Sequence, residues 1–231
     1  MNKNLFLMEY RKVSLSLLLW TIVISLLITV TMSVYTTFIE NQSKILGMMS
    51  IIPKQALQFK GISNFEDLLS VLGFYSVNNI IYMMVLGSVF AIVIASNILL
   101  REEFSKTAEY LLTRPLSRSE IFISKMAVVF SSIVILNIVT SFTGFVTMEV
   151  VDKKDTVNYM PFLILSLYTL LLNLFFGALG LFMSTIVKRP RPITTFSIGL
   201  VLVFYFIYTI SKITESAGFI GYLSPFKYTN V

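Results

Sequence analysis

The chain has 231 residues, of which 56% are hydrophobic and only 13% charged, with a net charge of +6 and a mean hydropathy of +0.83. A soluble domain carries about twice that charged fraction, so the composition excludes an ordinary globular protein and points to one that uses a bilayer as its solvent. The absence of cysteine excludes disulfides and thiolate metal sites, and the absence of histidine removes the commonest proton shuttle and metal ligand.

Uncharged apolar runs of about 20 residues are what a helix rising ~1.5 Å per residue needs to cross a hydrocarbon core of ~30 Å. Five such runs are visible: 13–38, 80–100 with a start as early as 74, 121–148 with its fully uncharged part at Met126–Met148, 161–187 and 193–211. Backbone polar groups in lipid must be satisfied within their own segment, so all five are expected to be helices. None of the runs alternates apolar and polar residues, which argues against a barrel. The expected fold is therefore an all-α, polytopic transmembrane helical bundle forming a single membrane domain over residues 1–231. Val13–Phe38 is too long for the apolar core of a cleavable signal peptide and lacks a small-residue cleavage site.

In chain order, residues 1–12 mix Leu5, Phe6, Met8 and Tyr10 with Lys3, Glu9, Arg11 and Lys12. A short helix lying in the cytoplasmic interface and a plain positively charged anchor both fit this segment. The outer loop 39–73 places Phe65, Leu68, Leu69 and Leu72 at helical spacing behind a capping box of Ser63 and Glu66. It predicts an amphipathic helix at the outer surface, resting on the membrane or packing on the bundle.

The segment between the second and third spans, 101–120, reads REEFSKTAEYLLTRPLSRSE and is bounded by uncharged runs. Phe104, Ala108, Leu111 and Leu112 form an apolar stripe, with Glu102, Glu103, Lys106 and Glu109 on the wet side. Pro115 stops that helix, and Ser117 with Glu120 forms a capping box that starts the next one. A helix, a sharp turn and a capped restart make a surface that can pass force from a soluble partner to the spans. An interfacial tether matches the same pattern. Lys125, about one turn inside the third span, is placed to snorkel to the cytoplasmic surface. The tail Glu215–Val231 contains Gly218, Gly221 and Pro225, which suits a broken or re-entrant segment, and it stops as if another span should follow.

With the N-terminus in the cytoplasm, the inner segments carry eleven Lys or Arg against five acids, and the outer segments seven against seven. The short turn Lys188-Arg189-Pro190-Arg191 fixes this orientation most sharply, because short basic loops stay inside. Tyr35, Tyr75, Tyr82, Tyr159, Tyr205 and Tyr208 fall near outer ends, where amphipathic rings anchor. The net charge is thus explained by membrane orientation and calls for no nucleic acid.

No span carries an acid or base near its middle, which argues against a proton-coupled transporter, since such charges mark ion paths. Asn137 and Asn173 are the main mid-span polar residues. Bonding between helices is the favoured role, and lining a substrate path is the other. Gly87, Ala91 and Ala95 permit close helix approach on the second span, as do Gly180 with Ser184 on the fourth and Thr140 with Gly144 on the third. Packing within one subunit is the preferred reading.

The stretch EYLLTRPLSRSEIFISK, Glu109 to Lys125, resembles the cytoplasmic-loop signature of ABC-2-type transporter permeases. Lys3 to Trp20 resembles the helix that leads into their first span, and Ser224-Pro225-Phe226-Lys227-Tyr228 the short motif before their last. The resemblance implies a membrane half-transporter partnered with a separate ATP-binding subunit. On that pattern the segment between spans two and three is the coupling segment. Glu102, Glu103, Thr107, Glu109, Tyr110, Arg114 and Arg118 become contacts with the ATPase, and Pro115 the turn that shapes the surface. No phosphate-binding Gly-x-x-x-x-Gly-Lys-Ser/Thr occurs in the chain, so no cofactor is expected on it, and ATP and Mg belong to the partner. The family has six spans where this chain shows five, so a truncation, a sixth span supplied elsewhere and one dispensed with all remain open.

The function expected is the permease subunit of an exporter, homo- or heterodimeric, in a bacterial cytoplasmic membrane. Its uncharged interior suits an amphipathic or hydrophobic cargo such as a peptide, an antibiotic or a lipid-like molecule. The alternative is a non-transporting immunity or sensor component that uses the same loop for another partner. An intramembrane enzyme ranks last, because no paired acid, nucleophile or base constellation lies at membrane depth.

Overall fold

The computed structural model describes residues 2–42, 66–104, 117–152, 159–186, 190–213 and 218–229. Among these the regular structure is entirely helical, and five helical stretches are long and apolar enough to cross a membrane.

The first span, α1 (Lys3–Glu40), is one unbroken helix of 38 residues. At ~1.5 Å per residue it reaches well past a ~30 Å hydrocarbon core. Asn2 caps it, its Oδ1 accepting from the N–H groups of Asn4 at 3.1 Å and Leu5 at 3.3 Å. Residues 1–12 are therefore not a separate interfacial element. No Gly or Pro interrupts Lys3–Glu40, and one buried stripe of Leu5, Glu9, Val13, Leu17, Ile24, Ile28, Met32 and Tyr35 continues through both parts.

The second span is composite. A 3₁₀ turn, Glu66–Leu69, leads into α2 (Val71–Asn79), then a π-helical stretch, Ile80–Leu86, then α3 (Gly87–Phe104). Its apolar length is Val71–Leu100, so it begins earlier than the expected 74. The surface helix expected around Phe65–Leu72 is not formed as such. Leu68 is buried and Tyr35 donates its hydroxyl to Leu69 O at 2.7 Å, so this turn seals the end of the bundle. Ser63 and Phe65 lie outside the described residues.

The third, fourth and fifth spans are α4 (Arg118–Val151), α5 (Tyr159–Ile186) and α6 (Pro190–Ile213). Within its apolar window the second span is 78% buried, against 22–44% for the other four, which makes it the hub. It packs chiefly on α5 and α6, while α1 packs on α4. Outward-facing side chains such as Leu15, Ile22, Phe142, Leu163 and Phe182 stay exposed and apolar, as a surface bathed in acyl chains requires.

The tail turns back on the bundle. Two 3₁₀ helices, Ile220–Leu223 and Pro225–Thr229, flank Ser224, whose hydroxyl donates to Phe204 O at 2.7 Å. Phe204 lies nine residues before the end of α6, or ~13 Å along the axis. Phe226 is 1% exposed and inserts among Phe176, Tyr205 and Tyr208, and Thr229 Oγ1 approaches Met84 Sδ of the π-helical stretch at 3.5 Å. Three of the tyrosines expected to anchor at the outer interface, Tyr35, Tyr75 and Tyr208, are instead buried in the bundle, packed against Phe74, Phe162 and Phe226 respectively.

Candidate functional site

One end of the bundle gathers the N-terminus of α1, the last turns of α3 and the first turns of α4. Ser117 caps α4: its Oγ accepts from the N–H of Glu120 at 3.2 Å, and Glu120 Oε2 accepts from the N–H of Ser117 at 3.0 Å. Two donors left without partners at the helix start are thereby satisfied. One turn further on, the N–H of Asn2 donates to Ser124 Oγ at 3.1 Å.

Lys125 does not snorkel. It is 1% exposed, and its Nζ donates to Ile98 O of α3 at 2.7 Å. The same Nζ lies 4.0 Å from Oε2 of Glu9, itself 2% exposed. Lys12 Nζ meets the other oxygen of Glu9 at 2.5 Å. Snorkelling needs a clear path to water, and here α1 and α3 close over the lysine. A buried ammonium then requires bonded partners within the protein.

Of the residues expected to form the coupling surface, Thr107, Glu109, Tyr110, Arg114 and Pro115 lie outside the described residues. Glu102 and Glu103 stand in the last turn of α3, and Arg118 is exposed in the first turn of α4. The flanks of the segment thus converge on the end occupied by Glu9 and Lys125.

A second polar feature runs through the middle of the bundle. Asn173 on α5 donates its Nδ2 to Asn137 Oδ1 on α4 at 3.1 Å and accepts at Oδ1 from Ser88 Oγ on α3 at 3.1 Å. Asn137 Nδ2 donates to Ile133 O at 2.9 Å, and nearer the other end Asn79 Nδ2 donates to Thr169 Oγ1 at 3.2 Å. All these side chains are buried, and they tie three spans together inside one chain. Small residues bring the backbones close enough. A Cβ added to Gly87 would fall 2.7 Å from Asn173 Nδ2, and one added to Gly180 would fall 2.6 Å from Ile92 O and 2.8 Å from Ala95 Cβ. Ala91 and Ala95 are fully buried on the same face of α3.

Two apolar grooves flank this core. One, about 390 Å³, lies between α1 and α4 and is lined by Thr29, Met32, Ser33, Phe142, Thr143 and Val146, among others. The other, about 440 Å³, lies between α5 and the tail, against Tyr168, Phe175, Leu223 and Tyr228. Among the described residues no group of His, Cys, Asp or Glu is arranged to hold a metal ion.

The family profile described as ABC-2 family transporter protein matches residues 4–227. The chain belongs to the ABC-2 transporter family. Comparison with curated proteins and with solved structures returned no match. As an ABC-2 permease the chain is the transport component of an ABC transporter and works with a separate ATP-binding subunit.

Ser88, Asn79, Thr169, Glu9 and Phe226 escape a reading of the permease by sequence alone. Ser88 and Thr169 are hydroxyls in apolar runs, where satisfying their own helix is the default. Glu9 leaves a trace: it falls in register with Leu5, Val13 and Leu17, a charged residue on an apolar stripe.

Proposed function

We propose that this permease subunit exports an amphipathic or hydrophobic cargo, driven by an ATP-binding subunit docked on segment 101–120. Glu102, Glu103, Thr107, Glu109, Tyr110, Arg114 and Arg118 contact the ATPase, and Pro115 shapes the turn between them. ATP and Mg reside in the partner. The observation that carries the reading is the direct tie between the helices flanking this segment, Lys125 Nζ on α4 to Ile98 O on α3. A push on the segment reaches both spans at once, whereas a slack loop would absorb it. The family's dependence on a separate ATPase supplies the partner. Two copies, identical or paralogous, would complete the pathway in a bacterial cytoplasmic membrane.

The cargo class is supported by spans that carry no charged residue near their middle and by grooves lined mostly with apolar atoms. A hydrophilic ion would find no charged group in these grooves to offset the loss of its hydration.

Purification in mild detergent, with the co-purifying ATP-binding subunit identified and its hydrolysis rate measured with and without permease, tests the docking. Glu109→Lys and Arg114→Glu are expected to abolish the stimulation of hydrolysis. Stimulation retained in both variants would rule out the docking surface. In loaded vesicles, movement of small hydrophilic solutes alone would rule out the cargo class.

A further inference from the structure

We infer that Glu9 and Lys125 form a buried electrostatic clasp that makes α1 move with the two stems of segment 101–120, and that this clasp is the pivot about which α1 swings at its outer end. The inference rests on the reading of that segment as the ATPase-docking element.

The clasp stands on four contacts. Lys125, on α4, holds Ile98 O of α3 at 2.7 Å and faces Glu9 of α1 at 4.0 Å. Lys12 closes on the other Glu9 oxygen at 2.5 Å. The N–H of Asn2 to Ser124 Oγ, 3.1 Å, ties the same two helices independently of charge. Glu9 and Lys125 are 2% and 1% exposed, so pulling α1 away from α4 would strand charge in a packed, water-poor place, which is strongly disfavoured. A merely structural contact needs no charge here. Leu5, Val13 and Leu17 pack the same stripe with apolar side chains.

Toward the outer end the pair changes character. Beyond Ser25, whose hydroxyl accepts from Thr143 at a long 3.3 Å, α1 and α4 stand apart around the 390 Å³ groove lined by Thr29, Ser33, Val146 and Val150. Thr29, Ser33 and Thr147 direct their hydroxyls to carbonyls of their own helices, so they do not bridge the gap. At that end α1 is held to the second span instead, Tyr35 donating to Leu69 O at 2.7 Å and Thr31 Oγ1 lying 3.0 Å from the Tyr82 hydroxyl, so the part that can swing against α4 is α1 together with the outer half of the second span. Movement of α3 and α4 by the docked ATPase is passed to α1 at the clasp and appears as opening or closing of the groove.

Because the chain has no cysteine, pairs of spin labels can be placed without background. An inner pair at Leu7→Cys and Phe122→Cys, and an outer pair at Val34→Cys and Val150→Cys, use exposed positions. In the permease–ATPase complex in lipid nanodiscs, trapping ATP is expected to shift the outer distance and leave the inner one unchanged. An inner distance that shifts as much as the outer one overturns the pivot. In the permease alone, Lys125→Met and Glu9→Gln are expected to broaden the inner distance several-fold in width, while Lys125→Arg, which keeps both charge and donor, leaves it narrow. An unchanged width in both single variants, or broadening in Lys125→Arg equal to that in Lys125→Met, overturns the clasp. Failure of any ATP-binding subunit to co-purify with the wild type would overturn the docking reading instead, and the measurement on the permease alone would still judge the clasp.

Discussion

The seam between the second and fourth spans and the seam between the first and third are built on opposite plans. In the former, Gly87 lies against Asn173 and Gly180 against the Ile92 carbonyl, with no room for even one added carbon. Ser88 bonds across it to Asn173 and Asn79 to Thr169. In the latter, a charged cluster closes one end and a groove of about 390 Å³ opens toward the other. The second span's apolar window is 78% buried and the first span's 22%, while their partners, the fourth and third, are alike at 39% and 44%. The difference teaches where motion is cheap. Close-packed helices have few alternative arrangements, whereas a seam already gapped loses little contact when it opens further.

The most severe way to break the tight seam is Gly180→Leu, which drives a side chain into the backbone of α3. A loss of about 3 kcal/mol is expected, at the upper end of ordinary overpacking, read as a drop in melting temperature of the detergent-solubilised protein. Tolerance of that leucine would remove the contrast between the seams. Next, Asn173→Leu deletes the partner of both Ser88 and Asn137. Polar bonds between membrane helices contribute ~0.6–2 kcal/mol, so destabilisation of about 1–2 kcal/mol is expected, with Asn137→Leu in the same background adding less than it does alone. Additive losses would show that the amides act separately.

The loose seam should respond weakly. Thr143→Val removes the long bond to Ser25 and is expected to cost under ~0.6 kcal/mol. Val146→Phe, which fills the groove, should leave the melting temperature nearly unchanged while lowering ATP hydrolysis stimulated by the permease. A large fall in stability from either would mean that the gap is as tightly specified as the core. A filled groove with full stimulation would separate the groove from the working cycle.

Much of this was legible from residue order. Ser117 and Glu120 announced their capping box because it is local, satisfied within four residues of chain. Asn137 and Asn173 stood out because an amide in an apolar run needs a partner. Ser88 did not, since the identity of that partner depends on which helices lie side by side. Lys125 was misread for the same reason: its stem could reach water until α1 and α3 were placed over it. Around Phe65–Leu72 the apolar stripe left packing on the bundle and resting on the membrane both open, and the burial of Leu68 in a 3₁₀ turn chose packing.

Length and hydropathy alone determined that, among the described residues, five helices are long and apolar enough to cross a bilayer, because runs of that length in a hydrocarbon core must satisfy their backbone within themselves. Charge counts along the loops likewise proposed a side for each end. Tertiary structure alone decided that the second span is the hub, that the tail folds back to Phe204, and that Glu9 meets Lys125. Each of these is a pairing of residues far apart in the chain, set by how helix faces fit together, and no single stretch of sequence carries that fit.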